Sequence, residues 1–322
     1  MAVRRVEEEL DHLTRFRDAE PAEAVPALRK ALGDRVNLVV AKAARIAGER
    51  QFRELIPDLL HAFDRLFEKA AERDPQCWAK NAIATVLKTM AHGEAAPFLR
   101  GMRHIQMEAS FGKPVDTAET LRGICLLALP ACSDVTREEA MRGFVDALAE
   151  RAHTIRVEAV RALREMGGFE AALVLRLKAR LGDEEPEVMG QIFDALLGLE
   201  GEAAVPVLEE FLQKPDGAVR EEAALALGSS RLPRAFELLR ESYTKARDPQ
   251  FREALLRAVS LTREERAIEW LLSFVRASRK QEAIDALHAL ALHRGSEEIR
   301  RAVASATHGR GDELEAEYRK LF

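Results

Sequence analysis

The sequence predicts an all-α solenoid of about eight stacked two-helix repeats. Three observations lead to this fold class. The chain has 322 residues, of which 47 % are hydrophobic and only 6 % aromatic, and it is rich in the helix formers Ala, Leu, Glu and Arg. Two short apolar phrases alternate along it. Successive copies of the first phrase lie 31 to 33 residues apart over most of the chain.

The first phrase begins a helix. A small or apolar residue is followed four positions later by Leu or Phe, often with Pro between them. Such a pair lies on one helix face, and Pro is tolerated in the first turn because the N–H groups there have no intrahelical partner. The wider spacing from 55 to 95 and from 95 to 140 predicts two enlarged repeats. The eight copies begin at Ala24, Leu55, Ala95, Ala140, Ala171, Ala204, Ala235 and Ala267.

The second phrase predicts the partner helix of each repeat. An apolar anchor, often followed by Arg, precedes a small or apolar residue at +4 and an apolar residue at +8. A small residue at the middle position lets two helices approach closely, and Gly48 and Gly228 after the phrase predict left-handed helix ends. Turn residues such as Gly33-Asp34 separate the two helices. The copies are Val39–Ala47, Trp78–Val86, Leu121–Leu129, Ile155–Leu163, Val188–Leu196, Val219–Leu227, Phe251–Val259 and a weaker Arg279–Leu287.

Together the two phrases resemble the HEAT-repeat family, in particular the short HEAT-like repeats of the phycobiliprotein-lyase type, over residues 22–292. The resemblance rests on the proline-containing first helix and on a second helix such as Val219-Arg-Glu-Glu-Ala-Ala-Leu-Ala-Leu-Gly228. It implies a superhelical stack. Because the shared residues serve packing, the resemblance says little about activity.

Two enzyme classes built on HEAT-like repeats serve as tests. Deoxyhypusine hydroxylases of this kind hold iron through His-Glu dipeptides, and no His of this chain is followed by Glu. HEAT-like DNA glycosylases use a basic groove lined by aromatic residues, whereas Trp78 and Trp270 both fit apolar repeat positions here. The sequence supports neither chemistry.

The repeats are expected to lie in a single domain, 1–322, that is capped at both ends. Residues 1–20, with Val3, Val6, Leu10 and Leu13 at helical spacing, predict an N-terminal cap helix, and 296–322 predict two closing helices. Terminal repeats need a polar outer face because no neighbour covers it.

Charge and cysteine content restrict the partners. The formal net charge of −5 provides no overall positive field for phosphate backbones or anionic lipid, so nucleic acid is not expected as a partner. No apolar run is long enough for a membrane span, and no signal peptide is predicted. An odd number of cysteines without a Cys-x-x-Cys pair predicts small buried thiols in a reducing compartment, which favours the cytoplasm.

A row of cations follows the second-helix anchors: Arg122, Arg156, Arg220, Arg252 and Lys280. Stacked repeats would align this row, which could bind acidic partners. The alternative is a structural ladder, in which Asp216 and Asp248 cap their helices and pair with an arginine of the same or the next repeat. We expect the ladder.

The enlarged repeats contain an insertion, Gly101–Thr117. Its Phe111-Gly-Lys-Pro114 stretch cannot continue a helix and would place an aromatic residue and a cation on a loop. Solenoid insertions often carry function, and nearby second helices add cations. We expect a protein-partner site on the N-terminal half of the concave face; the alternative is a solvated charged face with a variable loop. The candidate residues are Lys42, Arg45, Lys80, Asn81, Lys88, Phe111, Lys113, Arg122 and Arg156.

No catalytic residue, cofactor or metal site is predicted. Two Asp-x-x-His pairs, Asp58 with His61 and Asp285 with His288, have a spacing that suits one edge of a metal site, but they lie in distant repeats. The chain contains no Gly-rich phosphate loop, His-Glu-x-x-His or Gly-x-Ser-x-Gly motif. We therefore predict a non-enzymatic protein-interaction scaffold. The alternative is an enzyme or enzyme subunit of the HEAT-like lyase or base-modifying kind, working through the same basic patch.

Overall fold

The chain folds into two compact units, divided after Met166, in the computed structural model, which describes residues 2–322 and their side chains from Val6 onwards. Nearly all of the regular structure in this range is α-helix, and eight helix pairs follow one another along the sequence. The predicted all-α solenoid of two-helix repeats is thereby confirmed. That the whole chain forms one domain stays a prediction.

Unit 1 holds the N-terminal helix and the first four pairs. Helices α3, α6, α8 and α10 pack in succession as one layer, and α2, α4 and α7 pack as the other. Its elements, in chain order, are α1 (Ala2–Thr14), α2 (Pro21–Leu32), α3 (Asn37–Glu49), α4 (Ile56–Arg65), α5 (Ala70–Arg73), α6 (Trp78–Thr89), α7 (Ala96–Gly101), β1 (Met107–Glu108), β2 (Val115–Asp116), α8 (Glu119–Leu126), α9 (Arg137–Leu148) and α10 (His153–Met166).

The predicted N-terminal cap segment, 1–20, contains α1, which packs against α3. Leu13 and the following Phe16 bury their side chains, whereas most charged side chains of the helix are exposed. Val3, which the sequence places on the same apolar face, lies outside the described side chains. A buried edge and a polar outer face suit a terminal helix; that α1 caps the array stays a prediction.

Unit 2 holds the other four pairs and the two C-terminal helices. Helices α12, α14, α16, α18 and α20 pack in succession. Its elements are α11 (Gly168–Leu181), α12 (Pro186–Glu200), α13 (Val205–Leu212), α14 (Gly217–Ser230), α15 (Ala235–Lys245), α16 (Pro249–Leu261), α17 (Glu265–Ala277), α18 (Lys280–Leu290), α19 (Glu297–Thr307) and α20 (Asp312–Leu321). The last two, α19 and α20, lie in the segment 296–322, where the sequence predicts two helices; that they close the array stays a prediction.

The two enlarged repeats owe their extra length to two different segments. Between α4 and α6 the chain inserts an irregular stretch, Leu66–Cys77, that includes the one-turn helix α5. Between α7 and α8 it inserts the predicted non-helical segment, which forms an antiparallel hairpin with Met107 opposite Asp116. Both insertions lie in unit 1, and they hydrogen-bond to each other through Gln76 and Glu108.

The glycines that end the second phrase are packing residues, which corrects the prediction of left-handed helix ends. A Cβ on Gly228 would lie 2.1 Å from the carbonyl oxygen of Ala258 on α16, and one on Gly48 would lie 2.7 Å from a methyl group of Val86 on α6. The absent side chain lets neighbouring helices approach closely. The left-handed residues come three positions later, at Gln51 and Arg231, where φ is 54° in both.

Candidate partner-binding surface

The nine candidate residues divide into accessible and inaccessible side chains. On the second-helix layer of unit 1, Arg45 and Lys88 are exposed, and Lys42 and Asn81 are half-buried. Lys42, Arg45 and Lys88 have no ion-pair partner within the described part of the chain. The structure therefore offers cations on α3 and α6 that are free to meet another molecule.

Lys80 is not one of those accessible cations, and this corrects its assignment to a binding surface. Its side chain is 0 % exposed, and its Nζ lies 3.1 Å from an oxygen of Asp74, which is also fully buried. The N–H groups of Ala79 and Lys80 donate to the same carboxylate, each at 2.9 Å. A buried charge is stable only when it is paired and hydrogen-bonded. Lys80 thus fixes the irregular segment against the start of α6.

Arg122 is likewise an internal residue, and the structure removes it from the candidate surface. Only 3 % of it is exposed. Its guanidinium donates to Asp116 at 2.6 Å and to the carbonyl oxygen of His104 at 2.9 Å, and it lies 3.7 Å from Glu150. Charge-assisted bonds of this kind hold planar groups in one orientation. Arg122 therefore ties both ends of the hairpin insertion to α8.

Arg156, on α10, is half-buried and also works within the fold. It donates to the carbonyl oxygens of Glu150 and Arg151, at 2.9 and 2.8 Å, in the turn after α9. These carbonyl groups follow the end of a helix, where backbone acceptors lack intrahelical donors. Arg156 thus satisfies the turn that joins α9 to α10.

The predicted cation row forms a structural ladder in unit 2. Asp216 and Asp248 cap α14 and α16, accepting from the N–H groups of Val219 and Gln250. Arg220 donates to Asp248 at 2.6 Å, and Arg252 lies 2.9 Å from Glu282. One detail corrects the prediction: the arginine that pairs with Asp248 comes from the preceding repeat, because the guanidinium extends along the stack towards the next helix start.

The hairpin presents the exposed apolar residues of the insertion. Phe111 is fully exposed at the tip, beside Gly112, whose φ is 117°, and Lys113 is exposed next to it. Ile105, Met107 and Val115 are each exposed by about half or more. The predicted loop with an aromatic residue and a cation is therefore present, but it is the tip of a two-stranded structure.

Two carboxylates hold the base of the hairpin. Glu108 accepts from the N–H of Gln76 at 2.7 Å, from the amide of Gln106 at 2.6 Å and from the hydroxyl of Thr117 at 2.7 Å. Burial by itself raises the pKa of Glu108, but these hydrogen bonds outweigh it and hold the pKa below its usual value. The Gln76 bond joins the hairpin directly to the irregular segment Leu66–Cys77.

Asp116 is held in the same way. Burial raises its pKa, but the N–H groups of Gln106 and Ala118 and the guanidinium of Arg122 more than offset that effect, so the pKa is lowered. Through these bonds the two carboxylates attach the hairpin to the irregular segment Leu66–Cys77 and to α8.

The irregular segment that receives the hairpin contains strained backbone. Lys69, Gln76 and Cys77 have φ values of 46°, 61° and 53°, which residues with a side chain rarely adopt. Such conformations cost about 1–3 kcal/mol each and persist where the surroundings enforce them. At Gln76 and Cys77 the backbone N–H groups are held, the first by the carboxylate of Glu108 at 2.7 Å and the second by the carbonyl oxygen of Asp74 at 3.1 Å. Neither acid was a sequence candidate, since nothing in the repeat pattern marks them.

Trp78 corrects another prediction, because it is 48 % exposed rather than buried at an apolar repeat position. It begins α6, two residues after Gln76, and thus lies on the chain segment that meets the hairpin. An aromatic side chain left half in solvent is typical of interaction surfaces.

Several of the remaining sequence candidates for chemistry have structural partners. In the part of the chain that the structure describes, no group of three or more His, Cys, Asp and Glu side chains converges as a metal site would require. Asp58 accepts from Arg29, and His288 lies 2.9 Å from Glu317. Burial raises the pKa of Cys125 strongly, so it lacks the thiolate character of a nucleophile.

Among the described residues, none of the helices combines the length and the apolar character that a membrane span needs.

The HEAT-repeat family matches this chain over residues 173–260 and 213–281. Three solved structures are similar in parts. Human deoxyhypusine hydroxylase is 21 % identical, with 78 % of this chain and 88 % of that chain covered and a TM-score of 0.32. The complex of CpcE and CpcF of phycocyanin lyase from Nostoc sp. is 18 % identical over 77 % and 93 %, with a TM-score of 0.40. An engineered protein is 17 % identical over 98 % and 93 %, with a TM-score of 0.37.

All three TM-scores are below 0.5. A search of the curated proteins finds no match to this chain.

Proposed function

Because this chain carries HEAT repeats within an all-α solenoid fold, we propose that it is a non-enzymatic scaffold that binds a protein partner through unit 1. The partner contacts the hairpin insertion and the cations on the second-helix layer. Repeat solenoids offer extended surfaces of this kind, and insertions that interrupt the repeat often carry the binding residues.

The observation that carries this proposal is a hairpin with exposed apolar side chains that is hydrogen-bonded to the rest of unit 1. Phe111, Met107 and Val115 contribute little to the core of unit 1, yet Glu108 and Asp116 hold their backbone in place through several hydrogen bonds. Exposed apolar side chains on a hydrogen-bonded insertion are typical of protein interaction sites, because a partner that covers them removes apolar surface from water.

The exposed cations support a protein partner with acidic character. Arg45 and Lys88 are exposed without an ion-pair partner among the described residues, while the whole chain carries a net charge of −5. That net charge opposes binding to nucleic acid. Free cysteine thiols, two of them buried, agree with a cytoplasmic location.

The alternative, an enzyme or enzyme subunit, would require the basic patch to act on a substrate. Lys80 and Arg122 are the central cations of that patch, and both are buried and engaged in ion pairs. This arrangement favours the scaffold over the enzyme.

The test is co-purification with a matched pair of variants. Tagged wild-type protein, the double variant Met107→Ser/Phe111→Ser and the control Leu292→Ser are used to capture proteins from extract of the source cell, and the captured proteins are quantified by mass spectrometry. Leu292 is a similarly exposed apolar residue in unit 2. We expect one protein to be recovered with wild type and control and to be depleted about tenfold or more with the double variant, which corresponds to at least 1.4 kcal/mol of binding free energy.

Equal recovery of every partner with the double variant would refute the proposal. A coloured preparation, or a cofactor that co-purifies with wild type in stoichiometric amount, would favour the enzyme instead. Circular dichroism of the three proteins checks that the fold is unchanged.

A further inference from the structure

A groove of about 480 Å³ opens on the second-helix layer of unit 1, away from the hairpin residues. Its lining comes from three successive elements of that layer. Lys88 lies in the last turn of α6, Leu127 and Pro130 lie just after α8, and Arg161, Arg164 and Glu165 lie on the C-terminal half of α10. The volume is within the range of ordinary ligand and peptide pockets.

The groove exists because α8 ends early. It stops at Leu126, whereas α6 and α10 have 12 and 14 residues, and the chain continues into a 3₁₀ turn at Leu129–Ala131. Pro130 cannot donate the backbone hydrogen bond that a continuing α-helix needs, and its ring clashes with the preceding turn. The middle helix of three therefore leaves a low, apolar floor between longer neighbours.

The rims of this groove are positively charged. Lys88 and Arg164 are exposed and have no ion-pair partner within the described residues, and Arg161 lies 3.0 Å from Glu158 on its own helix. Glu165 is the single acid that lines the groove. On the neighbouring α3, Arg45 adds a further exposed cation to the layer. An apolar floor between cationic rims is complementary to a chain segment that alternates carboxylates with an apolar side chain.

We propose that this groove binds an acidic peptide segment of the partner in an extended conformation, with its carboxylates on Lys88 and Arg164 and an apolar side chain on Leu127 and Pro130. The proposal rests on the proposed function, because both assign the partner to unit 1 and share Lys88. The other groove residues, Leu127, Pro130, Arg161, Arg164 and Glu165, are not part of the hairpin surface. Second helices that pack about 8–10 Å apart put α6 and α10 roughly 16–20 Å apart across α8. Five or six extended residues, at about 3.3 Å each, span that width.

A nucleic acid fits this groove less well. No aromatic side chain lines it, so a base has no ring on which to stack, and Glu165 repels phosphate. A peptide needs no aromatic ring for stacking and no long row of cations. Its acidic side chains can contact Lys88 and Arg164 without lying next to Glu165.

The test measures direct binding of a defined probe. The probe is a fluorescein-labelled peptide, Asp-Glu-Leu-Glu-Glu-Leu-Glu-Asp, and the control peptide carries Asn and Gln in place of Asp and Glu. Fluorescence anisotropy is recorded with wild type, with Lys88→Gln/Arg164→Gln, and with Lys30→Gln/Arg294→Gln, which removes two exposed cations elsewhere. We expect the groove variant to weaken binding about tenfold or more, the control variant to leave it unchanged, and added salt to weaken it in wild type.

Three results would overturn the proposal: equal binding by the two double variants, equal binding of the acidic and the amide peptide, or displacement of the peptide by an oligothymidylate of similar length at equal concentration. The hairpin variant Met107→Ser/Phe111→Ser is expected to bind the acidic peptide normally, since its changes lie outside the groove. A groove variant that loses the peptide but still captures the partner refutes the groove and leaves the scaffold proposal standing. Retained peptide binding without any captured partner refutes the scaffold proposal alone.

Discussion

The close packing of α14 against α16 predicts that Gly228 cannot be replaced by a larger residue without a loss of stability. The change Gly228→Ala adds one methyl group on α14, and that carbon would lie 2.1 Å from the carbonyl oxygen of Ala258 and 2.8 Å from its carbonyl carbon. These are backbone atoms of α16, so no side-chain rotation can relieve the contact. The two helices must move apart by about 1 Å to restore an ordinary van der Waals distance.

The expected magnitude follows from two opposing effects. In a helix, Ala is more favourable than Gly by about 1 kcal/mol. Overpacking of a close interface typically costs about 1–3 kcal/mol, and a gap of up to 1 Å forfeits a quarter to a half of the dispersion energy of the contacts beside it. Since the obstacle is backbone, the cost belongs at the upper end. We expect Gly228→Ala to lower the free energy of unfolding by about 2 kcal/mol.

A second glycine of the same helix provides the control. No atom lies within 4 Å of a Cβ built on Gly217, at the start of α14, so Gly217→Ala is expected to leave stability unchanged or raise it by up to about 1 kcal/mol. At Gly190 the three nearest atoms to an added Cβ all belong to the side chain of Glu222, which can turn away, so Gly190→Ala is expected to cost less stability than Gly228→Ala.

Urea unfolding followed by tryptophan fluorescence measures these differences. Trp78 and Trp270 are the two tryptophans, and a Trp78→Phe background leaves Trp270 as the reporter of unit 2. If Gly228→Ala unfolds at the same or a higher urea concentration than its parent, tight backbone packing is not the reason for glycine at this position.

Two further predictions concern unit 1. Lys80→Met leaves the buried carboxylate of Asp74 without its cation and should lower the free energy of unfolding by about 3 kcal/mol. The control Lys88→Met, at an exposed and unpaired position, should change that free energy by less than about 0.5 kcal/mol. Equal effects of the two variants in urea unfolding would contradict the buried ion pair. Because the folded-state pKa of Glu108 is lowered, its contribution is present above the usual carboxyl pKa and is lost as the pH falls through the lowered value. The stability difference between wild type and Glu108→Gln should therefore shrink as the pH falls below about 4, and a difference that stays constant with pH would contradict the assignment.

The helix pairs follow from the sequence because each helix must bury an apolar stripe of its own. For example, Ala24 and Leu28 are four positions apart and therefore lie on the same helix face, and both are fully buried. The same local rule applies in every copy, so errors in one repeat do not affect the next.

The sequence could not separate exposed from buried cations. Lys80 and Lys88 both occur on α6 in an Arg- and Lys-rich chain, and their spacing alone does not distinguish them. What buries Lys80 is Asp74, which comes from an irregular segment whose path no periodicity describes. Arg122 is buried for the same reason, by Asp116 of the hairpin.

The hairpin and the groove were only partly predictable. Phe111-Gly-Lys-Pro114 indicates a loop, but strands of two residues are too short to show alternation, and the bond of Glu108 to Gln76 is non-local. Arg161 and Arg164 look like ordinary solvated charges. The sequence feature that indicates the groove is Pro130, because a proline at this position ends the second helix of its repeat early.

The carboxylate of Asp248 belongs to two repeats at once, since it caps α16 and accepts the guanidinium of Arg220 from α14. A two-helix unit excised from this array and inserted elsewhere would carry one half of such a bond and leave the other half behind. The modules that can be duplicated or shuffled in this chain are therefore offset from the helix pairs visible in its sequence. A transferable segment has to begin at one aspartate cap and end after the next.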